Sequence, residues 1–240
     1  MQGICRFCGA EGSLIKAHVV PASLYDKSSD KTEALVLVNS DTPGRVSRSW
    51  TGIYDQELVC RRCEDLWDSW DSCAAVFLRE IDKQADPLRD GGELVGLRVN
   101  DYDFDRLKLF FLSVAWRCGA SQRKEFSMVN LGPYEEKLKE AIETKNPDHP
   151  AGVDVSVHRF DDKKLGTAFL NPHCERWDGI NHLRMYMFGY TILVKTDRRP
   201  MPLVFRRFRM ERNKPLVVGI RKFDGGPEHK LMLKMVRGET

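Results

Sequence analysis

Two Cys-x-x-Cys pairs, Cys5 with Cys8 in CRFCG and Cys60 with Cys63 in LVCRRCE, constrain this 240-residue chain more than any other feature. Zinc takes four tetrahedral ligands at about 2.3 Å when these are thiolates, and each pair offers two sulfurs to one side of that tetrahedron. Seven cysteines is an odd number, and the first residues lack the pattern of an export signal. A metal is therefore favoured over a disulfide framework. One structural Zn²⁺ held by Cys5, Cys8, Cys60 and Cys63 would close a long loop and contribute folding free energy of several kcal/mol. The blander reading is four buried free thiols. Cys73 and Cys118 fall on apolar helix faces and are read as core, while Cys174 has His173 beside it and no pairing partner.

Around these pairs the chain reads as α+β, in three parts. Residues 1–85 form the zinc-stabilised hairpin and helix, 86–150 a helical segment, and 151–240 a mostly antiparallel sheet packed on the helices. EALVLVN is read as a strand and SDTPGRVSRSWTGIYD as a long basic loop. Leu66, Trp70, Cys73, Phe77 and Ile81 recur at helical spacing, predicting one helix from Cys63 to about Lys83 that DPLRDGG terminates. Trp67 and Trp70 cannot both centre one face of that helix. Further helices are expected over Phe104 to Cys118 and along YEEKLKEAIE. VDVSVHRF, MYMFGYTILVKT, PLVFRRFRM, PLVVGIRKF and KLMLKMV are read as strands.

Charge is unevenly distributed. Residues 1–100 carry twelve Lys and Arg against sixteen Asp and Glu, and residues 195–240 carry thirteen against five. The basic end suits phosphates, an acidic partner or plain solvent. Apolar runs such as LKLFFLSVAW are too short to span a bilayer, so no membrane partner and a cytoplasmic location are expected.

CRFCG, KAHVVP and LVCRRCE, in this order, resemble the HNH (ββα-metal) endonuclease superfamily in its variety clamped by cysteine pairs. The likeness covers residues 3–72, and more loosely extends to bacterial proteins of unassigned function. It implies a hairpin and helix around one catalytic divalent cation, with His18, followed by Val19, Val20 and Pro21, as the general base. It also implies metal-dependent hydrolysis of nucleic-acid phosphodiesters and a place in antiviral defence. The family sets one metal ligand immediately before the base and another immediately after the last cysteine. Here those positions hold Ala17 and Glu64.

A neutral imidazole is chemically suited to take a proton from water. Glu64 shares a helix stripe with Asp68 and Asp71, and three carboxylates in a row repel unless a cation or a basic side chain lies over them. That permits a catalytic Mg²⁺ or Mn²⁺ on Glu64, Asp68 and Asp71, with His18, Glu64 and Asp68 as catalytic residues. The alternative is that acids merely favour a helix N-terminus and His18 buttresses the finger. Arg61 and Arg62 within the second knuckle, with Arg45 and Arg48 before it, are the phosphate candidates for DNA or RNA. Arg206, Arg207, Arg209 and Arg212 cannot all share one surface of a strand. Asn39 and Asn171 lack a specific spacing, and His173, Glu175 and Asp178 form a polar knot. Two non-catalytic functions stand beside the nuclease: a zinc finger that binds nucleic acid without cutting it, and a zinc brace for a protein partner or a second copy of the chain.

Overall fold

The most apolar segment, FDRLKLFFLSVAWRCGA, forms the central helix. In the computed structural model, which describes residues 1–24, 35–38, 46–49, 52–149, 152–162, 165 and 168–237, it is α3 (Phe104–Ala120), capped by the Asp103 side chain accepting from the Arg106 backbone N–H. Almost all of α3 is buried. Against it pack α2 (Asp68–Gln84), α4 (Tyr134–Glu143) and one face of a seven-stranded sheet.

The architecture is α+β. An amino-terminal hairpin of β1 (Gln2–Ile4) and β2 (Glu11–Ser13) carries the first cysteine pair. β3 (Ala17–His18) pairs with β6 (Tyr54–Asp55), and β4 (Leu35–Val38) with β5 (Val46–Ser49). The short helix α1 (Arg61–Glu64) carries the second pair. After α2 come β7 (Asp86–Asp90), β8 (Glu93–Val99), α3 and α4, then β9 (Val155–Phe160), β10 (Ala168–Leu170), β11 (His173–Trp177), β12 (Ile180–Met187), β13 (Tyr190–Lys195), α5 (Leu203–Arg206), β14 (Leu216–Arg221) and α6 (Pro227–Arg237). The large sheet runs β11-β12-β13-β9-β14-β8-β7, antiparallel except where β14 meets β9; β10 lies parallel to β4.

Several elements differ from the sequence reading. SDTPGRVSRSWTGIYD, read as a loop, contributes β5 and β6, and MYMFGYTILVKT is not one strand but the hairpin of β12 and β13, turned at Phe188 and Gly189, both at positive φ. The helix expected from Cys63 is broken at Asp65–Trp67, which lets both tryptophans bury: Trp67 packs edge-on against Phe7 and close to Trp116, while Trp70 opens α2. DPLRDGG does not merely end a helix; DPLRD is β7 and Gly91–Gly92, both at positive φ, turn it into β8. PLVFRRFRM is not a strand. It is α5 and a following turn, because Pro202 starts a helical turn that puts Phe205 and Phe208, three residues apart, on the same buried side. KLMLKMV is helical within α6, where Pro227 and Glu228 suit the first turn and Lys234 and Arg237 the last.

One buried cluster runs from Cys5 and Phe7 in the finger through α2 and α3 to Leu216 and Val218 of β14, so segments 1–85, 86–150 and 151–240 share a core. At its tightest point Gly119 of α3 faces buried Leu131: a Cβ there would lie 2.4 Å from Leu131 Cδ1. Alanine ordinarily stabilises a helix interior relative to glycine. Here the clash reverses the sign, and Gly119→Ala should cost about 1–3 kcal/mol in urea unfolding.

Candidate metal centre and the charged cluster beside it

Each cysteine is placed by backbone geometry that its neighbours dictate. Cys5 leaves β1 into a tight turn closed by the Gly9 N–H donating to the Cys5 carbonyl, with Gly9 at φ +73° as the turn requires. The Cys8 N–H points at Cys5 Sγ, 3.5 Å away. The second pair is brought in by an antiparallel bridge between Leu14 and Cys60, and the Cys60 N–H also points at Cys5 Sγ, at 3.4 Å. The first turn of α1 then folds Cys63 back onto the others.

The sulfur separations are 3.7 Å for Cys5–Cys63, 3.9 Å for Cys8–Cys60 and 3.6 Å for Cys60–Cys63. All four lie within 4.8 Å of one another. A tetrahedron with metal–sulfur bonds of about 2.3 Å has edges of about 3.8 Å, and a disulfide would need about 2.05 Å. The chain thus carries a four-cysteine cluster capable of coordinating a metal ion, and four thiolates in a closed tetrahedron are a structural zinc set. The Cys8 thiol is pulled down to about 6, first by the Ala10 backbone N–H, whereas burial pushes Cys63 far up. Only a cation would keep all four deprotonated together. Exposed Arg62 hydrogen-bonds Cys8, which raises its own pKa and offsets the excess negative charge of a metal–thiolate centre.

Beside this centre lies the region that the sequence marked for catalysis. His18 ends β3, half-buried, with its ring edge-on to Tyr54. Ala17 is fully buried and has no ligand to offer. Glu64 is half-buried and accepts from Trp67 Nε1 at 3.2 Å; burial raises its pKa against the pull of Arg117. Asp68 is exposed. Asp71 meets a partner absent from the sequence reading: Arg117 of α3, whose Nη1 and Nη2 donate to the two carboxylate oxygens at 3.0 and 2.8 Å. Burial raises the Asp71 carboxyl overall, with Arg117 and then His18 pulling the other way.

The Arg117 side chain is wholly inaccessible to solvent. Besides Asp71 it donates to the His18 carbonyl at 3.1 Å, to the Ser113 carbonyl and to Ser113 Oγ, and it lies over the Trp67 ring. Asp71 is therefore neutralised by a side chain, and Arg117 also pulls on Glu64, while Asp68 stays exposed. Among the described residues, the four cysteines are the one group of three or more His, Cys, Asp or Glu side chains whose ligand atoms come close enough for a single ion. His18, Glu64, Asp68 and Asp71 do not converge in that way. The signal for Arg117 is an arginine set between Trp116 and Cys118 in the apolar C-terminal half of α3. Its partner carries no such signal.

Compared with known proteins, the chain matches no family model, no curated protein and no solved structure.

Of the phosphate candidates, Arg61 and Arg62 are exposed on the second knuckle, Arg61 with a long 4.0 Å pairing to Asp65. Arg48 lies in β5, while Arg45 and Asn39 fall outside the described residues. Cys118 is buried and Cys73 partly so. Cys174 is exposed, and its thiol donates to the Asn130 carbonyl. Asn171 is buried and engaged. In the polar knot, Glu175 accepts from Arg184 and Trp177, while Asp178 occupies a positive-φ turn. No described helix is long and apolar enough to cross a membrane.

Two outcomes follow. Purified chain should carry one zinc, measurable by chelator release, and Cys60→Ser should abolish stoichiometric zinc and lower unfolding free energy by several kcal/mol. Because binding requires thiolates, zinc should be lost on acidification and retained at neutral pH. Separately, Arg117→Ala should cost about 3–5 kcal/mol with zinc still bound, since it strands a buried carboxylate. Replacing Arg117 and Asp71 together by apolar residues of similar volume should recover most of that loss in chemical denaturation.

Proposed function

We propose that this chain is a zinc-pinned binding module, built on an HNH-like finger, that engages nucleic-acid phosphates through Arg61 and Arg62 without hydrolysing them. The observation that supports this reading is the Arg117–Asp71 pair. Hydrolysis at an HNH-like centre needs open carboxylate or imidazole ligands for a divalent cation. Here Ala17 is closed off, Asp71 is bonded through both oxygens, and a guanidinium supplies the positive charge. Zinc ligation would fix the backbone on which exposed Arg61 and Arg62 stand, and a phosphate would draw Arg61 from its long pairing with Asp65 and Arg62 from Cys8. Arg45 and Arg48 extend the same role in this proposal, which takes DNA or RNA as the partner.

Two observations favour the hydrolytic reading: Asp71 lies within electrostatic reach of His18, and Glu64 retains one oxygen without a bond to Trp67. The two readings part in a single experiment. Zinc-loaded protein is incubated with labelled duplex DNA, single-stranded DNA and RNA, with Mg²⁺ or Mn²⁺. The binding module gives mobility shifts that weaken steeply with salt, and leaves every substrate intact. Arg61→Ala with Arg62→Ala should reduce the slope of log K against log salt by about 2 at most, with weakening on all sequences alike. Cation-dependent cleavage that disappears in His18→Ala would instead establish the nuclease. Absence of both binding and cleavage leaves the finger as a brace for a protein-interaction surface.

A further inference from the structure

The outer face of the large sheet, opposite the side packed on α3, is buried yet strongly polar. Strand register places Tyr186, Thr191, His158 and Gly219 in one row across β12, β13, β9 and β14. Alternation puts Arg184, Ser156 and Arg221 on the same face in adjoining rows. Ser156, His158 and Thr191 are all more than nine-tenths buried. Ser156 Oγ, His158 Nε2 and Thr191 Oγ1 nonetheless have no hydrogen-bond partner among the described residues. His182 Nε2, fully buried on the same face of β12, is a fourth. Leaving one such group unpaired costs about 1–3 kcal/mol, so four on one face call for an explanation.

Above that row lies the carboxylate of Glu228, from the first turn of α6. It accepts from Arg184 Nη1 at 3.0 Å and from Arg221 Nη1 and Nη2 at 2.8 and 3.2 Å. Arg184 and Arg221 stand on β12 and β14, the strands flanking β13 and β9. Thr191 and His158 stand on the two strands between them, in the row between Arg184 and Arg221, and Glu228 bonds neither; the Phe205 and Phe208 rings pack edge-on against His158. Arg184 is additionally held by Glu175. Gly219 leaves room for the His158 and Phe208 rings, since a Cβ there would lie 2.8 Å from His158 Nδ1 and 2.9 Å from Phe208 Cε1.

We propose that this face is a binding site for a tetrahedral oxyanion of the phosphate or phosphomonoester class, and that Glu228 occupies it when the anion is absent. A planar carboxylate satisfies two guanidinium groups but has no oxygen out of its plane to reach the hydroxyls beneath. A phosphate keeps both guanidinium contacts and offers further oxygens to Thr191, Ser156 and His158. Binding displaces Glu228 and with it the start of α6, so the C-terminal helix reports occupancy.

The test uses the full-length, zinc-loaded protein, with inorganic phosphate and adenosine monophosphate as probes, followed by calorimetry and phosphorus NMR. Glu228→Gln weakens the internal competitor and should bind phosphate at least about tenfold more tightly than the wild type. Adding Thr191→Val to that variant should take back about fivefold or more. Adenosine monophosphate binding more tightly than phosphate would identify a nucleotide as the source of the group, and equal affinity a free phosphate. Should Glu228→Gln not fold, the wild type suffices: phosphate, but not chloride at equal ionic strength, should speed hydrogen exchange within residues 227–237. The proposal is overturned by no phosphate binding in folded Glu228→Gln, by affinity indifferent to Thr191→Val, or by exchange in α6 that phosphate leaves unchanged.

Discussion

A guanidinium with no access to water holds three separate pieces of this chain in register. Arg117 on α3 grips Asp71 on α2 with two hydrogen bonds and the carbonyl of His18 on β3 with a third. Desolvating an arginine is expensive, and the attraction of one carboxylate offsets that cost only when the remaining N–H groups also find acceptors. The Ser113 carbonyl and hydroxyl, one helical turn earlier, supply them. The net contribution to stability is small, yet the arrangement is specific: displacing the finger from α3 or slipping α2 along it would strand a buried charge.

The four-sulfur cluster and Arg117 divide the work of placing the finger. A metal held by the four sulfurs would join Cys5 and Cys8 to Cys60 and Cys63 across a long excursion, fixing the hairpin against α1. It says nothing about how that unit meets the rest of the chain. Arg117, the contacts among Phe7, Trp67 and Trp116, and the pairing of β6 with the end of α3 set that orientation. In the last of these, Ser121 donates to Asp55 and Arg123 to the Tyr54 carbonyl. His18 lies where both constraints meet, which accounts for its fixed position whether or not it touches a substrate.

Local chemistry made part of this legible in the sequence. Cysteine spacing identifies the cluster because thiolate ligation imposes its own geometry, and α3 and α4 follow from apolar periodicity and capping within single segments. α5 and α6 were misread for a common reason: short apolar runs such as LVF and KLMLKMV carry no decisive period, and the prolines before them, Pro202 and Pro227, start helical turns rather than strands. Arg117 shows a different limit. Its presence on an apolar face signals a buried partner, but Asp71 lies 46 residues earlier in the chain, and only the packing of α2 on α3 pairs them.

The same limit governs charge. The basic excess of residues 195–240 suggests a phosphate-facing surface when counted along the chain. In the fold, Lys195 and Arg209 meet Asp154, Arg212 meets Asp105 and Asp148, and Lys222 meets Glu93, all acids from outside that segment. Arg199, Lys214 and Arg221 find acids within it. At least seven of its thirteen basic residues are thus engaged in ion pairs, which removes most of the field that the linear count implies. What remains for a phosphate is local and geometrically defined: the exposed arginines of the four-cysteine knuckle, and the Arg184–Arg221 pair, bonded to Glu228. The first is an exposed surface that screens easily with salt. The second is buried, so its strength depends on which anion best satisfies the polar groups beneath it.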